Sequence, residues 1–123
     1  MSASEKRREY LRKWRKKNPQ YLERTRRWRA ENRAHLRAYN LLYRYGLTEA
    51  EYQKMAEGQE HCCKICQRPA QLEQHGKLHV DHLKGTKVVR GLLCRTCNTA
   101  IGLFQEKPSV LAAAIEYLRV TAL

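Results

Sequence analysis

Two Cys-x-x-Cys pairs constrain this chain more than any other feature: Cys63-Lys64-Ile65-Cys66 and Cys94-Arg95-Thr96-Cys97, with 27 residues between Cys66 and Cys94. Two residues between thiolates let both sulfurs converge on one tetrahedral ion at about 2.3 Å. Two such pairs close the coordination sphere, the pattern of a structural zinc rather than an open, catalytic one. The alternative is buried or redox-active cysteine, but a thioredoxin-like use needs a βαβ pattern that surrounds neither pair. Cys62 with Cys66 is also a permissible spacing; Cys63 is preferred because it makes the two pairs alike. Five cysteines without an apolar secretory segment point to metal binding in a reducing, cytoplasmic setting before disulfides. No stretch approaches the roughly 18 apolar residues of a membrane span.

A zinc scaffold leaves open what it serves, and charge narrows the choice. The 123 residues carry a formal net charge of +13. It is unevenly placed: residues 1–45 hold 15 of the 25 Lys and Arg against four Glu. An anionic partner is the first thing such an arm suggests, and DNA the expected one. Arg12, Lys13, Arg15 and Lys16, then Arg26, Arg27 and Arg29, are its candidate phosphate contacts. Tyr10, Trp14, Tyr21 and Trp28 interleave with them, suited to stacking on bases, to packing, or to pairing two copies as a homodimer. The Arg12–Arg15 and Arg26–Arg29 stretches echo one another fourteen residues apart; Pro19 interrupts the register, so the echo reads as composition.

The pattern predicts helices over Glu5–Lys17 and Gln20–Tyr45, broken at Asn18-Pro19 and ended by Gly46. Thr48 and Glu51 form a capping box that opens a short helix to about Glu57, with Tyr52 and Met55 facing inward. Beyond Cys63, short apolar runs alternate with turns. Lys77–His82 and Lys87–Leu93 read as two strands around a loop containing Gly85. A helix follows from Cys94 or Arg95, carrying Asn98 and Ile101. Pro108 starts a last helix through about Val120, in which Val110, Leu111, Ala114, Ile115 and Leu118 mark a buried face. The fold class is α+β: a basic helical arm over residues 1–46, for DNA binding or dimerisation, and a zinc-bound domain over residues 47–123.

Between the cysteine pairs lies Leu78-His79-Val80-Asp81-His82, and Asn98 follows the second pair. A histidine can take a proton near neutral pH. The oxygens of Asp81 and Asn98 suit a hard divalent ion. Taken singly, an Asp-His pair is usually a polar surface dipeptide and a lone Asn a helix cap. The joint pattern is more specific. His79-Val80-Asp81-His82, then Val89-Arg90-Gly91-Leu92-Leu93-Cys94-Arg95-Thr96-Cys97-Asn98, then Ile101-Gly102, resembles the phage recombination endonuclease VII family, which belongs to the His-Me finger, or HNH-like ββα-metal, nucleases. The resemblance covers roughly residues 60–104, with the Tyr45-Gly46-Leu47-Thr48 lead-in.

That resemblance implies structural zinc on Cys63, Cys66, Cys94 and Cys97, and His82 as general base. It implies that Asp81 and Asn98 hold one catalytic Mg2+ or Mn2+ at the scissile phosphate, that the products carry 5′ phosphates, and that the protein is phage-encoded and acts inside the host cell. Lys84 and Arg90 join the candidate phosphate contacts. Two departures stand out. Where many members continue the Asp-His pair with a further residue and a second histidine, this chain has Leu83-Lys84, and Lys84 cannot replace a base or ligand. The family's junction-resolving member has its long helices after the zinc domain, whereas here they precede it, so nicking or duplex cutting is as fitting an expectation as junction resolution. His79 reads equally as a site residue or a strand histidine; His75, beside Gly76, reads as a turn residue, and His35 and His61 as surface. The rival is a non-catalytic zinc-containing DNA-binding protein, which has no need of Asp81, His82 and Asn98 together; an RNA-binding zinc module is a third.

Overall fold

Short-range capping chemistry sets most of the helix ends. The computed structural model describes residues 1–121. In α1 (Ala3–Lys17), Ser2 Oγ accepts from Glu5 N at 3.3 Å and Glu5 returns a carboxylate to Ser2 N at 2.6 Å. This reciprocal box starts the helix two residues before the predicted Glu5. Helix α2 (Pro19–Glu31) begins on the proline, whose fixed φ and missing N–H suit the first turn.

The predicted second helix is in fact two. Asn32 interrupts it, and α3 runs Arg33–Tyr45. At the break the Trp28 carbonyl accepts both from Asn32 N at 2.9 Å and from Asn32 Nδ2 at 2.8 Å, a side-chain bond of the kind that bends helices. Asn18 makes the same bond to Trp14, also at 2.8 Å. The fourteen-residue echo is therefore more than composition, since it repeats a Trp-x-x-x-Asn helix end.

The chain divides into two compact units, residues 1–40 and the residues from Leu41 onward. In the first, α1 and α2 bury no residue; Trp14 and Tyr21 meet edge to face with centroids 4.9 Å apart. The second holds the core. Helix α3 ends on Gly46, at φ +66, with Gly46 N bonded to Leu42 O and Leu47 N to Leu41 O, the paired closure of a left-handed helix cap. Thr48 and Glu51 form the predicted capping box of α4 (Glu49–Gly58), which buries Tyr52 and Ala56 and half-buries Met55. Tyr52 Oη donates to Leu78 O at 2.7 Å, tying α4 to the approach of the first strand.

Strands β1 (His79–His82) and β2 (Val89–Leu93) pair antiparallel, each two residues shorter at its start than predicted. Helix α5 (Arg95–Leu103) follows β2 directly and packs against β1, which completes the ββα unit of the expected α+β fold. Leu41, Tyr52, Ala56, Leu78, Val80, Leu92 and Leu93 form the core with the thiols of Cys63 and Cys94.

Helix α6 (Pro108–Thr121) corrects one expectation. Only Leu111 and Ala114 of its periodic apolar residues are even half-buried; Ile115 is 51% and Leu118 62% exposed. Periodicity identified an apolar face, but nothing within the described residues covers it. No helix among the described residues is long and apolar enough to cross a membrane.

Candidate metal centre and active site

The cysteine cluster is built from two backbone hooks. In the first, Cys63 N donates to Arg68 O and Gln67 N to Cys63 O, with Gln67 in the left-handed region at φ 65. In the second, Cys94 caps α5, its Sγ accepting from Cys97 N at 3.3 Å, while Glu73 accepts from Arg95 N at 2.7 Å. The ligand atoms of Cys63, Cys66, Cys94 and Cys97 all lie within 4.8 Å of one another, and none is in a disulfide. Cys66 Sγ and Cys94 Sγ are 3.6 Å apart. A tetrahedron with 2.3 Å metal–sulfur bonds has an edge of about 3.8 Å, so the four sulfurs fit one ion. Cys62 stands outside the cluster, its thiol against Glu60 O.

The thiols differ. Burial works against the Cys63 thiolate, but the backbone N–H groups of Cys66, Cys94 and Ile65 outweigh it and bring its pKa down to about 6. Burial first, then neighbouring thiols, pushes Cys94 and Cys97 up. A cation bound among the four sulfurs would offset the charge of their thiolates.

Gln59 fastens this cluster to the hairpin, a role that no sequence pattern announces. Its Nε2 donates to Leu92 O at 2.8 Å and to Cys62 O at 2.9 Å, and its Oε1 accepts from Leu92 N at 2.9 Å. The side-chain amide thus pairs with Leu92 as a strand peptide would. Lys64 N also donates to Leu92 O at 3.1 Å. Gly91 makes room here: a Cβ would sit 2.9 Å from Lys64 Cδ.

The hairpin register explains how Asp81 and His82 are presented. Asp81 pairs with Gly91 but His82 with Val89, leaving Arg90 as the extra residue of a β-bulge. Bulges bend a strand and re-aim side chains. Here the guanidinium of Arg90 meets Asp81 in a bidentate pair, Nε to Oδ2 at 2.9 Å and Nη2 to Oδ1 at 3.0 Å. Arg90 Nη2 also donates to Glu106 at 2.8 Å. Hydrogen bonds to Asp81 and then Glu106 hold this arginine even more firmly protonated than usual. Glu106 arrives through two left-handed residues, itself and Gln105, at the turn after α5. Asp81 is the one buried charged residue among those described, at 8% exposure.

His82 is half-buried with the Tyr45 ring 5.3 Å from it, tilted by 55°. Asn98 is half-buried in α5, the helix that packs on β1. The structure thus brings the strand bearing Asp81 and His82 and the helix bearing Asn98 together. Lys84 is exposed in the hairpin loop. Arg12, Lys13, Arg15, Lys16, Arg26, Arg27 and Arg29 are all exposed on α1 and α2, Lys13 paired with Glu9 and Arg27 with Glu23. His35, His61, His75 and His79 are exposed. Sequence reasoning missed Gln59, Glu106, Tyr45 and the pairing of Arg90. Arg90 carried a signal, as the residue before Gly91 in the run leading into the second cysteine pair, and Tyr45 as the start of the Tyr45-Gly46-Leu47-Thr48 lead-in; Gln59 and Glu106 carried none.

Comparison with known proteins agrees with this construction. The family model described as recombination endonuclease VII matches residues 38–120, which include the cysteine cluster, the hairpin and α5. The chain is similar to the Gene 59 protein of Mycobacterium phage D29, 42% identical over 80 residues, or 64% of this chain and 47% of that protein. The Gene 59 protein of Mycobacterium phage L5 is 40% identical over 79 residues, 63% of this chain and 47% of that one. The chain spans about half the length of these relatives. A match over more than half of the chain, on the elements that build the site, means that the chain belongs to the recombination endonuclease VII family.

Proposed function

We propose that the protein is a metal-dependent DNA endonuclease, with zinc on Cys63, Cys66, Cys94 and Cys97 and with Asp81, His82 and Asn98 as its working residues. The observation that carries the reading is the four-cysteine cluster, which draws together the two ends of the segment bearing Asp81 and His82 and caps the helix bearing Asn98. Hydrolysis joins a water oxygen to phosphorus and breaks the bond from phosphorus to the 3′ oxygen. His82 takes the proton that the attacking water gives up. The tilted Tyr45 ring limits the orientations open to that imidazole.

The carboxylate of Asp81 and the amide oxygen of Asn98 are hard donors that fit Mg2+ or Mn2+. Such an ion neutralises charge on the phosphate and the leaving oxygen. Arg90 already engages both oxygens of Asp81, so an ion there shares or displaces that pair. The cations of α1 and α2 supply salt-dependent affinity for duplex or branched DNA, in a monomer or a homodimer.

Plasmid nicking in the presence of magnesium tests the reading. His82→Ala should abolish nicking; cleavage at the wild-type rate would sink it. Asp81→Ala and Asn98→Ala should lose divalent-ion dependence while keeping zinc, measured by atomic absorption. DNA binding without any cleavage by the wild-type protein would instead establish the non-catalytic reading.

A further inference from the structure

One recess opens directly beside His82. It has a volume of about 480 Å³ and is lined by Tyr43, Arg44, Tyr45, His82 and Lys87. That volume lies in the range of small-ligand sites. Its lining has a definite chemistry: two phenol rings, two permanent cations, an imidazole and no carboxylate. Rings interleaved with cations are what a nucleic-acid strand requires, the rings for base or sugar faces and the cations for phosphate. Both walls belong to the unit that starts at Leu41.

Tyr45 anchors one wall, while Tyr43, Arg44 and Lys87 stand exposed to a ligand. Tyr45 is the last residue of α3, half-buried against the core, and the left-handed closure at Gly46 fixes where the helix stops. Leu41 and Leu47, which share the closing hydrogen bond, are themselves packed in that core. Opposite, Lys87 sits in the connection between β1 and β2, where Thr86 Oγ1 donates to Leu83 O at 2.8 Å and Leu83 N to Val88 O at 2.8 Å.

We propose that this recess binds the nucleotide next to the scissile phosphate, with its own phosphate between Arg44 and Lys87 and its base or sugar against Tyr43 and Tyr45. Tyr45 is then a positioning residue, holding His82 toward the strand that the recess receives. The assignment rests on the reading of His82 as the base, but binding at the recess can be measured without cleavage.

The probe is thymidine 3′,5′-bisphosphate, titrated into the full zinc-loaded chain without added divalent ion, with affinity from calorimetry and location from amide NMR shifts. The expected result is shifts at Tyr45, His82 and Lys87 and a Kd at least fivefold weaker in each of Arg44→Gln and Lys87→Gln. Inorganic phosphate and thymidine should each bind at least tenfold more weakly than the bisphosphate. Shifts confined to α1 and α2, or a Kd within twofold of wild type in both variants, would overturn the assignment; Lys87 is exposed in a loop, so its variant remains informative if Arg44→Gln folds poorly. For Tyr45, Tyr45→Leu should lower the plasmid-nicking kcat at least tenfold at unchanged zinc content, and Tyr45→Phe, which keeps the ring, should lose at least threefold less. Equal loss in both would refute the positioning role. Cleavage surviving His82→Ala would remove the base assignment, while the bisphosphate titration would still decide the recess.

Discussion

Replacing Arg90 by Met should tighten the binding of a divalent ion at Asp81. Arg90 makes two charge-assisted hydrogen bonds to that carboxylate, at 2.9 and 3.0 Å. Such bonds contribute roughly 1.5–3 kcal/mol each when well buried. The Asp81 side chain is 11% exposed but that of Arg90 is 35%, and solvent screening reduces the pair to about 1–2 kcal/mol. An ion that coordinates Asp81 must take at least one of those oxygens, so its apparent affinity in the wild type is lowered by up to that amount. Removing the competitor should raise affinity about 5–30-fold. Methionine keeps the apolar stem and offers no donor. The assay is Mn2+ binding to zinc-loaded protein, by calorimetry or by loss of the free-ion EPR signal. The ion-free variant should also be less stable, because Asp81 keeps its burial and loses its counter-charge, and Mn2+ should restore the difference. Unchanged or weaker Mn2+ binding in Arg90→Met, or the same gain in Asp81→Asn/Arg90→Met as in the single variant, would refute the competition.

Gln59→Ala removes three hydrogen bonds that join the first cysteine hook to β2 and should cost about 2–3 kcal/mol in urea unfolding of the zinc-loaded protein; a loss below about 0.5 kcal/mol would mean that water replaces the amide freely. Tyr52→Phe strips the Leu78 carbonyl of a buried donor at 2.7 Å and should cost about 1–2 kcal/mol, read as a lower urea midpoint at constant slope. Chelating zinc should abolish the cooperative melting of the unit from Leu41 onward, since a structural site of this kind supplies about 10–16 kcal/mol of binding free energy. Circular dichroism on heating checks this, and an unchanged transition would remove the metal from the folding account.

What was legible in the sequence was local. The Thr48–Glu51 box and the Gly46 stop need only three or four residues to act, and both stand where the pattern puts them. The cysteine pairs are legible because a two-residue spacing is itself a geometric constraint. Asn32 shows the limit of helix propensity: a stretch of good helix formers breaks where its side-chain amide bonds the Trp28 carbonyl. In α6 the apolar period is real, yet a period identifies a face and not its partner, so Ile115 and Leu118 meet solvent. For contacts that cross the fold, the sequence marked at most a residue and never its partner. Gln59 reaches Leu92 across 33 residues and Arg90 reaches Glu106 across 16, through side chains whose types are ordinary on any surface.

The bulge at Arg90 links the two halves of the site. In an unbulged ladder continuing from the Val80–Leu92 and Asp81–Gly91 pairs, His82 would stand opposite Arg90. Because side chains alternate, Arg90 would then point to the face opposite that of Asp81. One extra residue changes both relations: His82 pairs with Val89 instead, and the Arg90 guanidinium reaches the Asp81 carboxylate. Beside it the Lys64 stem lies against Gly91, 2.9 Å from where a Cβ would stand, and Lys64 Nζ donates to Arg90 O at 3.3 Å. Lys64 lies between the first pair of cysteines, so the metal cluster and the bulge are fastened to each other by the same residue. Lys64 thus joins the first cysteine hook to the backbone of Arg90, the only arginine that the structure places on Asp81 among the described residues.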